Sequence, residues 1–78
     1  MTALVSSVLT RAEYDDRAHM LALWFKETGH RYDYLRVPPN VYEALMSASS
    51  HGSYFARHIR DRYEFRRVWN SPFKRFAR

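Results

Sequence analysis

The sequence contains no cysteine at all. Disulfide staples, thiolate-rich zinc sites and cysteine nucleophilic catalysis are therefore excluded at once. A small secreted protein would usually need such staples, which favours a cytoplasmic home. Glycine is nearly as scarce: Gly29 and Gly52 are the only two, so no glycine-rich phosphate loop can be built. No run approaches the ~18 apolar residues that span a bilayer, and no membrane association is expected. The opening MTALVSSVLTRAEYDD lacks a cationic start and meets acids early, unlike a signal peptide. Acidic residues are rare in the last third, where residues 54–78 carry only Asp61 and Glu64.

What is present follows from size. Seventy-eight residues make one domain with a thin core, so large side chains must supply much of the burial. An aromatic share of 17% meets that need, and the first reading of most rings is core. The net charge of +5 is unevenly placed. Residues 1–53 hold five Lys/Arg against six Asp/Glu, whereas residues 54–78 hold eight against two. Eleven of the thirteen cations are Arg, which suits planar, bidentate contacts to phosphate or carboxylate. That surplus fits RNA or single-stranded nucleic acid, or alternatively an acidic protein partner, and leaves the oligomeric state open.

Hydrophobic patterning predicts an α+β domain. Residues 6–14 read as a first strand and Asp15-Asp16-Arg17-Ala18 as a turn. The run MLALWF, residues 20–25, is short enough for a strand, with Leu21, Leu23 and Phe25 on one face and Met20, Ala22 and Trp24 on the other. Residues 26–29 read as a hairpin loop with Gly29 at positive φ, and residues 31–37 as a third strand. Val37-Pro38-Pro39 ends that strand and opens a helix through NVYEALMSA, because proline is tolerated in a first turn. A second helix is expected over residues 53–62, capped by Ser50 or Ser53, with Phe55 and Ile59 inward. The expected architecture is a three-stranded antiparallel meander followed by two short helices packed on one face. A short C-terminal strand over residues 63–69 is the optional extension of the sheet. Residues 1–69 form the domain and residues 70–78 a basic tail.

Several pieces occur in a set order: Ser6-Ser7, Tyr14-Asp15, the LALWF strand, Tyr32-Asp33-Tyr34, Val37-Pro38-Pro39 with Val41-Tyr42-Glu43-Ala44-Leu45, and Ser50-x-Gly52-x-Tyr54-Phe55 with Ile59-Arg60. Together they resemble the KTSC domain, found at the C-terminus of some lysyl-tRNA synthetases and as a stand-alone bacterial protein. The resemblance covers about residues 5–68. His51 stands where the family often has Lys, and NSPFKRFAR lies beyond the usual domain. It implies a compact fold and an RNA-binding role, and it implies no enzyme.

The candidate ligand-binding residues are Tyr32 and Tyr34, which could stack on bases from an exposed sheet face, and Arg57, Arg60, Arg62, Arg66 and Arg67, which could position phosphates. Tyr63, Phe65 and Trp69 interleave with these cations. The competing reading packs both tyrosines in the core and leaves the arginines as a solvated face. His51 with His58, and His19 with His30 across a hairpin, lack a third metal ligand, so no metal and no cofactor is expected. Ser50 or Ser53 beside His51, and Asp15 with Asp16, read as capping and turn residues rather than catalytic groups. The expectation is a non-catalytic binding domain; a protein-interaction module or small homodimer anchored by Trp24 or Trp69 is the alternative.

Overall fold

The computed structural model describes the backbone of residues 2–3 and the whole of residues 8–68. The elements are β1 (Thr2–Ala3), β2 (Leu9–Asp15), β3 (Met20–Phe25), β4 (Arg31–Tyr34), α1 (Pro39–Ser47), α2 (His51–His58) and β5 (Phe65–Val68). All five strands form one antiparallel sheet in the order β1-β2-β3-β4-β5. The α+β meander with two helices is as expected and the C-terminal strand is present; the short strand β1 at the N-terminal edge is an addition that the sequence reading did not include. Neither helix is long and apolar enough to cross a membrane.

Local chemistry explains the turns. Oδ1 of Asp15 accepts from the amides of Arg17 and Ala18 at 3.0 and 3.2 Å, bending the chain into β3. Gly29 adopts φ 75° and donates its amide to Phe25 O at 2.7 Å, closing the next hairpin. Strand β4 stops at Tyr34, three residues earlier than the sequence predicts, because Arg36 takes the left-handed conformation at φ 56°. That twist costs an L-residue ~1–2 kcal/mol. It drops Val37 into the core, fully buried, with its amide donating to His19 O at 2.7 Å.

Strand β2 also departs from simple alternation. A bulge at Thr10 leaves Leu9 opposite Phe25 and Arg11 opposite Trp24. Leu9 and Ala12, three positions apart, consequently both face inward and are fully buried. The inner face of the sheet carries Leu9, Ala12, Leu21, Leu23 and Tyr34, on which Leu45, Phe55 and Ile59 pack. Met20, Ala22 and Trp24 lie on the opposite face, as the alternation of β3 predicts.

The helices are short and depend on this packing, since isolated helices under ~12 residues are marginal in water. Pro39 starts α1, and Leu45 is its buried residue. Helix α2 starts two residues earlier than expected and ends four earlier, at His58. Ser50 is its cap, its hydroxyl accepting from the Ser53 amide at 3.2 Å; Ser53 caps nothing. The amides of Ile59 and Arg60 both donate to Phe55 O, and the chain turns away with Ile59 fully buried.

Gly52 lies where α2 crosses Val8. A Cβ there would meet Val8 Cγ2 at 2.8 Å and Val8 Cβ at 3.1 Å. Alanine normally improves a helix, but here overpacking of ~1–3 kcal/mol outweighs a propensity gain of ~1 kcal/mol. Gly52→Ala should therefore lower the midpoint of urea unfolding, and Val8→Ala in the same chain should restore most of the loss. A stabilising Gly52→Ala would refute the close approach.

Candidate functional site

Tyr32 and Tyr34 both project onto the helix-covered face, because their cross-strand partners are Leu23 and Leu21. Tyr34 is only 3% exposed, with Phe55 edge-on at 5.6 Å and Phe65 at 5.3 Å between centroids. A base cannot reach its faces, so the stacking role expected of Tyr34 is corrected to a core role. Tyr32 is half-buried and meets Phe25 and Phe65 edge-on at 5.3 and 5.4 Å. It contributes a ring edge rather than an open platform.

The open ring is Phe65, on β5. It pairs across the sheet with Tyr34 and yet is 51% exposed, because the helical layer stops short of β5. The uncovered strip forms a groove of about 520 Å³. Phe25, Tyr32, Phe55 and Phe65 provide aromatic surface in it. Arg60 supplies a cation from the turn after α2, and Glu27 an acid from the β3–β4 hairpin. The Tyr34 phenol beneath has its pKa pushed up to about 12, chiefly by burial and secondly by Tyr32; the nearby Arg60 charge works in the opposite direction.

The five candidate arginines do not form one surface. Arg57, Arg60 and Arg62 are exposed and follow one another along the end of α2 and the turn leading to β5. Arg60 Nε lies 3.8 Å from Asp61, both side chains largely in water, so this pair adds little and leaves the guanidinium available. On β5 the side chains alternate. Arg67 lies opposite Tyr32, on the groove side, whereas Arg66 lies opposite Asp33, on the reverse face. Arg66 is therefore separated from the other four by the period of the strand itself.

The reverse face holds a grouping that the sequence did not signal. Arg11, Trp24 and Arg31 form one cross-strand row, with the guanidinium carbons 4.4 and 5.2 Å from the indole centroid. Arg31 Nε donates to Asp33 Oδ1 at 2.8 Å, pairing a carboxylate only 4% exposed. The bulge at Thr10 sets this row, and a bulge cannot be read from composition. The remaining titratable candidates have local structural roles. His19 and His30, which could have met across the hairpin, lie at opposite ends of β3 and β4. His58 packs on Tyr54, centroids 4.5 Å apart within α2. Among the described residues no three His, Asp or Glu side chains cluster to hold a metal ion. Trp69 and the basic tail of residues 70–78 lie outside the described residues.

Burial of the Tyr34 phenol has a pH consequence. Pushed up to about 12 from the ordinary tyrosine value of 10.0, the buried phenol retains its proton more strongly than the unfolded chain does. The associated stability is complete below the unfolded value and is lost as pH rises from 10.0 through about 12. Tyr14 is raised too, by desolvation first and then by Asp16 and Asp15. Denaturant titrations should show stability falling over this alkaline window, and Tyr34→Phe should flatten the fall. An identical slope in the variant would show that the phenol is not protected.

The KTSC domain model matches residues 5–63. Over 62 residues the chain is 32% identical to a lysine–tRNA ligase of Nostoc punctiforme, a match covering 80% of this chain and 11% of that protein. The chain thus spans about a tenth of the length of that curated relative. The crystal structure of a KTSC domain protein from Yersinia pestis superposes with a TM-score of 0.84 at 32% identity, covering 87% of this chain and 94% of that one. Sequence and fold agree along most of the molecule: the chain belongs to the KTSC domain family.

Proposed function

We propose that this KTSC domain is a non-catalytic module that binds RNA or other single-stranded nucleic acid. Arg57, Arg60, Arg62 and Arg67 position the phosphates, and the aromatic groove beside them receives the strand. The observation that carries the reading concerns Val8 and Phe65. They are the large apolar side chains left exposed among the described residues, at 39% and 51%, and both line the groove that Arg60 enters. Open rings beside arginines are what a sequence-tolerant single-strand surface requires, since rings hold bases and guanidinium groups hold the backbone. The Nostoc relative is named as a lysine–tRNA ligase, a protein that handles RNA, which supports the same ligand class here.

A second reading has its own observation. The reverse face presents Trp24 between Arg11 and Arg31, which could anchor an acidic protein partner or a second copy of the chain. Salt and location separate the two. Four phosphate contacts on a single strand predict a slope of log K against log salt near −3, at about −0.7 per phosphate. Titration with single-stranded RNA at several salt concentrations should show that slope, and Arg57→Ala, Arg60→Ala or Arg62→Ala should each reduce it by one contact. Absence of binding at low salt would remove the nucleic-acid reading; loss of binding with Trp24→Ala alone would move the interface to the reverse face.

A further inference from the structure

We infer that the groove between α2 and β5 is a slot for one unpaired nucleobase, stacked on the open face of Phe65, with a preference for bases that carry an exocyclic amino group. This rests on the nucleic-acid reading above and adds to it the class of strand, the stacking residue and the base edge that is read.

Three observations lead to it. Phe65 is held in place: it is strand-paired opposite Tyr34 and touched by the rings of Tyr32 and Tyr34 at 5.4 and 5.3 Å. Half its surface nonetheless remains in water, so a planar ligand finds a fixed ring with an open face. The groove's volume of about 520 Å³ lies within the ~300–1,000 Å³ of small-ligand sites, which is room for a nucleotide. Bases within a duplex are stacked with their ring faces covered and their edges paired, whereas a splayed-out, unpaired base offers both.

The charges lining the groove then orient the guest. Arg60, from the turn after α2, matches a phosphate, while Glu27 belongs to the hairpin beyond Phe25. The hairpin is braced by the His30 amide donating to Thr28 Oγ1 at 3.1 Å, which fixes the backbone beside Glu27. A carboxylate only accepts hydrogen bonds. It therefore complements the amino groups of adenine, cytosine or guanine, whereas on uracil it finds a single N3–H flanked on both sides by carbonyl oxygens that repel it. An acidic peptide could use Arg60 but brings neither a planar ring for Phe65 nor an amino edge for Glu27, whereas a nucleotide brings both with its phosphate.

The test measures binding of the full chain to short oligo(A), oligo(C) and oligo(U), and to a blunt RNA hairpin, at two salt concentrations. The expected order is oligo(A) and oligo(C) above oligo(U), with the hairpin weakest. Phe65→Ala should weaken oligo(A) binding about tenfold with the salt slope unchanged, because stacking and phosphate contacts are separate contributions. Phe65→Trp should retain affinity, and its added indole fluorescence should change on binding. Glu27→Gln should erase the preference over oligo(U). Thermal melts of each variant exclude unfolding as the cause, and the Trp variant keeps the test valid if the Ala variant unfolds. Unchanged affinity in Phe65→Ala, or equal binding of hairpin and single strands, would overturn the slot while leaving the arginine surface standing. A persisting base preference in Glu27→Gln would overturn the edge-reading part. No binding of any oligonucleotide by the parent chain would overturn the reading beneath.

Discussion

Phe55 stands between Phe25 and Tyr34, edge-on to both at 5.3 and 5.6 Å, and is the buried residue of α2. An eight-residue helix has little stability of its own, so this wedge, with Ile59 just beyond it, decides whether α2 exists and where it lies. The Ser50 cap, the tight crossing of Gly52 over Val8 and the outward aim of Arg57 all follow from that docking. The arginines have no contact of comparable depth. Arg57 is carried on the back of a helix held by a ring, and Arg60 and Arg62 follow it in the turn beyond.

Placement of that helix also creates the open strip. Burial changes abruptly between paired neighbours, from Tyr34 at 3% exposed to Phe65 at 51%. A sheet with every inner side chain covered would be more stable, since each buried large apolar side chain contributes ~1.5–3 kcal/mol. The molecule leaves Phe65 and Val8 uncovered on the same groove and stations Arg60 and Glu27 along it. Exposure of single apolar residues is ordinary in proteins; two converging on one depression beside opposite charges is a patch with chemistry.

Much of the fold was legible because some residues act locally. Gly29, the proline pair before α1 and the six-residue apolar run of β3 constrain their own backbone, and each element formed as read. The features that escaped depend on tertiary register. Nothing near Thr10 marks a bulge, yet it realigns β2 and builds the Arg11–Trp24–Arg31 row. Arg36 twists to bury Val37, the next residue, which truncates β4. The two tyrosines of β4 were expected either as platforms or as core, and only the side chosen by the helices decides: Tyr34 went in, Tyr32 halfway. The five arginines look contiguous in sequence, but strand alternation sends Arg66 to the other face from Arg67. Phe65 was visible as a ring among cations; that it would be the exposed one was not, because exposure depends on where the helices stop.

Every strand pairs with its neighbour in sequence, but the β4–β5 connection contains the entire helical layer. The β2–β3 and β3–β4 pairs close through short turns; the β4–β5 pair closes across a far longer stretch of chain, at a greater cost in closure entropy. The groove therefore spans the seam whose two strands lie farthest apart along the chain. Any guest held against both Phe65 and the β3–β4 hairpin clamps that seam shut, so occupancy and rigidity of the C-terminal strand become one equilibrium.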